Sequence, residues 1–232
     1  RTTRNYTRAK DAEPHYYLGV VLKEQGRIRE AADEFWKAVW RDDFQRAAYL
    51  ELAGIDCAQK DFQHALEMAD NAVAVAAGTS KAHVLRAYVL RKLGKKREAD
   101  AALARAQELD PLDVWSVAER CFLQGRETKA LSALAQNRGD SLQQLLETVT
   151  DYGNIGAADE ALALLAQAAA SGASFASPLV KYYQGYYTLL LGKADAARSL
   201  FGEAAAMPTD YCFPFRHEEL RMLSSATELC PS

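Results

Sequence analysis

Aligning the chain with itself limits what it can fold into more than its composition does. Set on Ala31, Ala65, Ala99, Ala130, Ala161 and Ala197, the sequence repeats with spacings of 34, 34, 31, 31 and 36 residues. Glycine stands five residues before most of these alanines, at Gly26, Gly94, Gly125, Gly156 and Gly192, with Lys60 in the remaining slot. A second alanine follows seven residues later at Ala38, Ala72, Ala106, Ala168 and Ala204, with Asn137 as the exception. Self-similarity at such a period marks a stack of identical supersecondary units. Glycine supplies the left-handed conformation that ends one helix and turns the chain into the next. Residues seven apart lie nearly two turns along one helix face, and alanine there lets a partner helix come close. The polar stretches between the glycine and the first alanine, "RIRE", "KKRE", "RETK" and "KADA", suit a helix start. The repeating unit is an antiparallel helix pair.

Helices are predicted over 14–25 with 28–41, 45–58 with 61–77, 80–93 with 96–109, 112–124 with 127–137, 141–153 with 157–171, and 177–191 with 194–206. No strand pattern competes, and the stretch that reads most like a linker is "SGASFASP" at 171–178, which joins the fifth and sixth units.

The first unit, "HYYLGVVLKEQGRIREAADEFWKAVW", carries Leu18, Gly19, Ala31, Phe35 and Ala38. The sixth, "KYYQGYYTLLLGKADAARSLFGEAAAMP", carries Gly185, Ala197, Phe201 and Ala204, and the third carries Ala87, Ala99, Ala106 and a closing Pro111. This spacing resembles the tetratricopeptide repeat. The fourth and fifth units are shorter and lose the Leu-Gly signature. The resemblance implies an all-α fold, an α-solenoid of antiparallel helix pairs wound as a right-handed superhelix with a C-terminal capping helix. It divides the chain into a basic leader at 1–11, six helix pairs at 12–209, and a Pro-containing corner with a capping helix at 210–232.

Little else asks for chemistry. Across 232 residues the formal net charge is −3, which gives no global basic field for nucleic acid or a membrane surface. Arg1, Arg4, Arg8 and Lys10 make a locally basic start that reads as a solvated leader. There is no apolar run long enough to span a bilayer and no signal-peptide core at the start. The chain opens on Arg rather than Met, which reads as a fragment or processed product. Cys57, Cys121, Cys212 and Cys230 are scattered, as thiols in a reducing compartment would be, so a cytoplasmic setting is expected. His15, His64, His83 and His217 form no HExxH and no zinc spacing. "LRKLGKKREAD" lacks the leading glycine and the Ser or Thr of a phosphate loop. We expect no cofactor, no metal and no enzyme active site.

Function is then expected from surface shape: a protein–protein interaction scaffold that binds a peptide or partner domain. In the repeat family the concave wall comes from the first helix of each pair. Carried over by that resemblance, the partner-binding wall is Tyr16, Tyr17, Lys23, Glu51, Lys81, Tyr88, Arg91, Lys92, Trp115, Tyr182, Tyr183 and Tyr186. Amphipathic aromatics of this kind are common at recognition surfaces; the alternative is that half of them pack between helices. Arg91, Lys92 and Lys81 could meet an acidic stretch, or form a solvated basic face. The carboxylate clamp of chaperone-binding members is absent: its positions hold Tyr16, Val20, Glu51, Lys81 and Leu85, and only Lys81 agrees.

Three stretches, from "HYYLGVV" and "SPLVKYYQGYY" to "DYCFPFRHEELRML", resemble the helical segment of large bacterial proteins with an N-terminal β-rich domain of uncharacterised function. That resemblance implies a second reading, an accessory segment of a multi-domain carbohydrate-active or carbohydrate-binding protein. The partner is then a protein, a peptide or a missing domain of the parent chain, with no nucleic acid and no membrane. The chain itself is a monomer or associates weakly through the array ends.

The C-terminal stretch "DYCFPFRHEELRMLSSATEL" breaks the rhythm. Pro214 fits the first turn of a helix, and Phe215, Leu220, Leu223 and Ala226 form an apolar stripe. Ala226 and Pro231 repeat the spacing of Ala106 and Pro111, so the segment reads as the second helix of a pair. It is expected to act as a lid on the sixth repeat, in an array truncated at this point.

Overall fold

The computed structural model of the chain describes residues 11–125, 141–170, 175, 177–210 and 212–230. The expected helix at 127–137, with Ala130 and Asn137, lies outside the described residues, as do most of 171–178 and Pro231. The described residues form α1 (Glu13–Glu24), α2 (Ile28–Ala38), α3 (Asp42–Ala58), α4 (Phe62–Val75), α5 (Ser80–Lys92) and α6 (Lys96–Leu109). Then come α7 (Val114–Leu123), α8 (Ser141–Asn154), α9 (Ala158–Ala170), α10 (Pro178–Leu190), α11 (Ala194–Ala205) and α12 (His217–Leu229). No strand occurs among them. The chain divides into two compact units, residues 1–116 and 117–232.

Within the first unit α1 pairs with α2, α3 with α4, and α5 with α6; within the second, α8 pairs with α9 and α10 with α11. The repeat register sets the core. Ala31, Ala65, Ala99, Ala161 and Ala197 are wholly buried, and so are Ala38, Ala72, Ala106, Ala168 and Ala204 to within 1%. Where the pair needs more volume, Phe35 and Phe201 fill it, each against a glycine sixteen residues earlier. A Cβ on Gly19 would stand 2.7 Å from the Phe35 ring, and one on Gly185 would stand 2.5 Å from Phe201. The Leu-Gly element of the first repeat is thus a socket for a ring from the second helix.

The turns inside the pairs are alike. Gly26, Gly94, Gly125, Gly156 and Gly192 all have positive φ, and so does Lys60 at 64°, in the slot where the sequence pattern departs from glycine. Around them the backbone closes the same way: Arg27 N–H donates to the Leu22 carbonyl at 2.9 Å, Asp61 to Asp56 at 2.9 Å, Lys95 to Leu90 at 2.9 Å and Ala157 to Tyr152 at 2.9 Å. These six-to-one bonds satisfy carbonyls that a helix end leaves without partners. Helix starts are fixed by side chains at Asp61, whose carboxylate accepts from His64 N–H, at Asp113, which accepts from Trp115 and Ser116, and at Ser177 ahead of Pro178.

The C-terminal helix departs from its expected form. It begins at His217, so Pro214 lies before the helix rather than in its first turn. Phe215 and Leu220 are exposed, and the buried face is Glu219, Met222 and Ala226. The stripe is rotated because Glu219, at the third helical position, turns inward to accept the backbone N–H groups of Phe215 and Arg216 at 2.7 and 2.9 Å. Every first helix from α3 to α5, and α10 likewise, packs on the second helix before it, whereas α12 packs more on α10 than on α11. It does not sit as the second helix of a further pair.

Candidate functional site

The first-helix residues of the first unit gather around two features. Tyr16 is half-buried, its ring 5.8 Å from Phe35 and 5.2 Å from Phe44, centroid to centroid. Burial, with the Glu51 carboxylate second, pushes its phenol up to about 12. Tyr17 sits edge-on to Tyr16 at 5.6 Å and to Phe44 at 5.9 Å, and it remains 55% exposed. Beside them Lys23 Nζ donates to Glu51 Oε2 at 2.7 Å, joining α1 to α3 through a partly buried pair. Two residues expected separately on the wall are each other's partners.

The basic group is built on aromatic rings. The Arg91 guanidinium and the Lys92 ammonium each lie 5.3 Å from the Tyr88 ring centroid, and Lys81 lies 5.9 Å from that of Trp115. Ring faces attract cations in this geometry. Tyr88 and Trp115 are only 2% and 3% exposed, however, which corrects their placement on an open wall. They pack between helices, with the cations on their ring faces. Cys57, buried nearby, has its thiol pushed up to about 12 by desolvation, which leaves little thiolate at neutral pH.

In the second unit the expected wall is covered. Tyr183 is 1% exposed, a further correction, with its hydroxyl 3.3 Å from Thr150 Oγ1 and donating to Glu219 Oε1 at 3.2 Å. Burial raises its pKa well above that of an ordinary tyrosine. Tyr182 and Tyr186 are half-buried and pack on a cluster of Ala197, Phe201 and Ala226 that Leu229 and Cys230 help to close. The covering element is α12. Arg216, at its start, bonds Glu219 Oε1 at 3.2 Å and donates to Gln143 Oε1 at 2.7 Å, while Asn154 Nδ2 donates to Glu218 Oε1 at 3.3 Å. Between these helices remains a small pocket of about 50 Å³, lined by Thr150, Asn154, Tyr183, Tyr186, Glu218 and Arg221 among others. That is room for a water molecule or two rather than for a substrate.

Sequence reasoning missed the polar ties between successive first helices. Arg46 reaches Thr79 at 3.2 Å, Ser80 reaches Asp113, Tyr152 donates to the fully buried Glu119 at 2.9 Å, and Thr150 meets Tyr183. Each pair is 33 residues apart, one repeat length, and a search for polar residues at that offset would have found them. Among the described residues no three His, Cys, Asp or Glu side chains converge as metal ligands, and no helix is long and apolar enough to cross a membrane.

No protein-family model and no curated protein matches the chain. Solved structures do resemble it. Yeast Tom70 is 16% identical, with a TM-score of 0.51 over 95% of this chain and 47% of that one. The APC/C hetero-tetramer Cut9-Hcn1 is 16% identical, with a TM-score of 0.50 over 93% of this chain and 43% of that one. This chain therefore spans less than half of either. A tetratricopeptide repeat protein from Parabacteroides merdae is 13% identical over 94% of this chain and 98% of that one, at a TM-score of 0.46. The chain has the tetratricopeptide-repeat fold, an all-α stack of helix pairs.

Proposed function

We propose that the chain is a non-enzymatic protein-interaction scaffold whose first-helix faces dock a peptide or a partner domain. The observation that carries this is Tyr17, a large aromatic ring left 55% exposed at the edge of Tyr16 and Phe44, on the helix that Lys23 ties through Glu51 to α3. An exposed amphipathic ring offers a partner apolar area and a hydroxyl that stays in water. Lys81 and Lys92, raised on Trp115 and Tyr88, add positive charge that suits an acidic segment of the partner.

The carbohydrate-linked alternative needs open aromatic faces for sugar stacking, and in the sixth repeat Tyr182 and Tyr186 lie under α12. Whether the parent reading frame encodes a β-rich domain upstream separates the two readings. For the scaffold, the immobilised full chain should recover a specific protein from an extract of its source organism. Tyr17→Ala with Lys23→Ala is expected to abolish that recovery and leave the far-UV circular dichroism unchanged. Undiminished recovery by the double variant would remove this face from the proposal.

A further inference from the structure

In the fifth and sixth repeats the face that the scaffold reading assigns to a partner is already filled by the chain itself. The way α12 fills it resembles a bound ligand more than a piece of core. α10 buries eight of its residues, including Tyr183, Gly185 and Tyr187, whereas α12 buries Glu219, Met222 and Ala226. The rest of its hold is a few contacts at its two ends: Leu229 and Cys230 pack on the Ala197–Phe201 cluster beside Arg198, and polar bonds gather at the first turn. Arg216 engages Gln143 at 2.7 Å and lies 3.8 Å from Glu147, Glu218 accepts from Asn154, and Glu219 accepts from the Tyr183 hydroxyl. The contact reaches α8 and α10, two successive first helices, and leaves the pocket between them partly unfilled. The outward side of the segment exposes Phe213, Phe215 and Leu220 at 72%, 69% and 67%.

We propose that α12 is a resident ligand: it occupies in cis a docking face that takes in trans, once α12 is released, a short helix that opens on an arginine and carries a carboxylate in its first turn. The inference rests on the scaffold reading and names the ligand's chemistry. The face selects a carboxylate in the first helical turn, for the Tyr183 hydroxyl, where Glu219 now stands. Three residues on it takes a long apolar side chain, as Met222, and four beyond that a small one, as Ala226. Tethering gives α12 a high effective concentration, so an external helix competes poorly until the strap is weakened.

The test uses the full chain and a labelled synthetic peptide of residues 212–230. In native-state hydrogen exchange, the amides of α12 should open together while α10 and α11 stay protected. With Met222→Ala in the chain, α12 should exchange faster and the peptide should bind at least about tenfold more tightly than to the unsubstituted chain, because the competent fraction rises. The peptide carrying Glu219→Ala should lose that binding. Exchange of α12 and α10 as one cooperative step overturns the proposal, and so does a released α12 with no gain in peptide binding. Either failure would leave the Tyr17 recovery experiment untouched, so the two ideas fall separately.

Discussion

At the scale of single residues, the turn between α3 and α4 holds the clearest anomaly. Lys60 adopts φ 64° where its counterparts are glycine. An L-residue in that region costs roughly 1–2 kcal/mol, while glycine loses about 0.5–1 kcal/mol through chain entropy. Lys60→Gly is therefore expected to stabilise the chain by about 0.5–1 kcal/mol, read as a higher urea midpoint; an unchanged or lower midpoint would mean that the exposed lysine makes a compensating contact. The strained position is legible in the repeat alignment itself, because five equivalent positions are glycine. Depth is not legible there. Tyr183 stands at the same repeat position as Tyr17 yet is buried, since a helical period gives the side of a helix and not what lies over it.

At the scale of elements, the helix pairs are legible because each is specified twice, by the turn residue and by the buried alanine face. The socket of α10 and α11 shows how little slack that leaves. Gly185→Ala would press a methyl group into the Phe201 ring, and such overpacking costs typically 1–3 kcal/mol. A loss of that size by denaturation is expected, with part of it recovered in the double variant Gly185→Ala with Phe201→Leu; strict additivity of the two changes would mean the ring is not what the methyl group meets. What the sequence does not reveal is the pose of α12. Its apolar residues allow more than one stripe, and the choice falls to Glu219, which turns inward because the backbone N–H groups of Phe215 and Arg216 and the Tyr183 hydroxyl converge on it. A buried carboxylate with this many donors outweighs the exposure of Leu220.

For the whole molecule, the division into two units has a direct spectroscopic reading. The chain has three tryptophans, Trp36, Trp40 and Trp115, all within residues 1–116. Tryptophan emission therefore follows the first unit, whereas helical circular dichroism follows both. If the units unfold independently, the two urea curves are expected to separate, and Lys60→Gly should move the emission curve more; superimposable curves would show one cooperative transition. The cysteines divide the molecule in another way. Cys57 is buried and holds its proton, while Cys212 and Cys230 bracket α12, the latter with its Sγ 3.8 Å from the Arg198 carbonyl. Cys230 is partly exposed where it lies, so departure of α12 would show as a rise in the rate at which a thiol reagent labels it, compared between the unsubstituted chain and Met222→Ala.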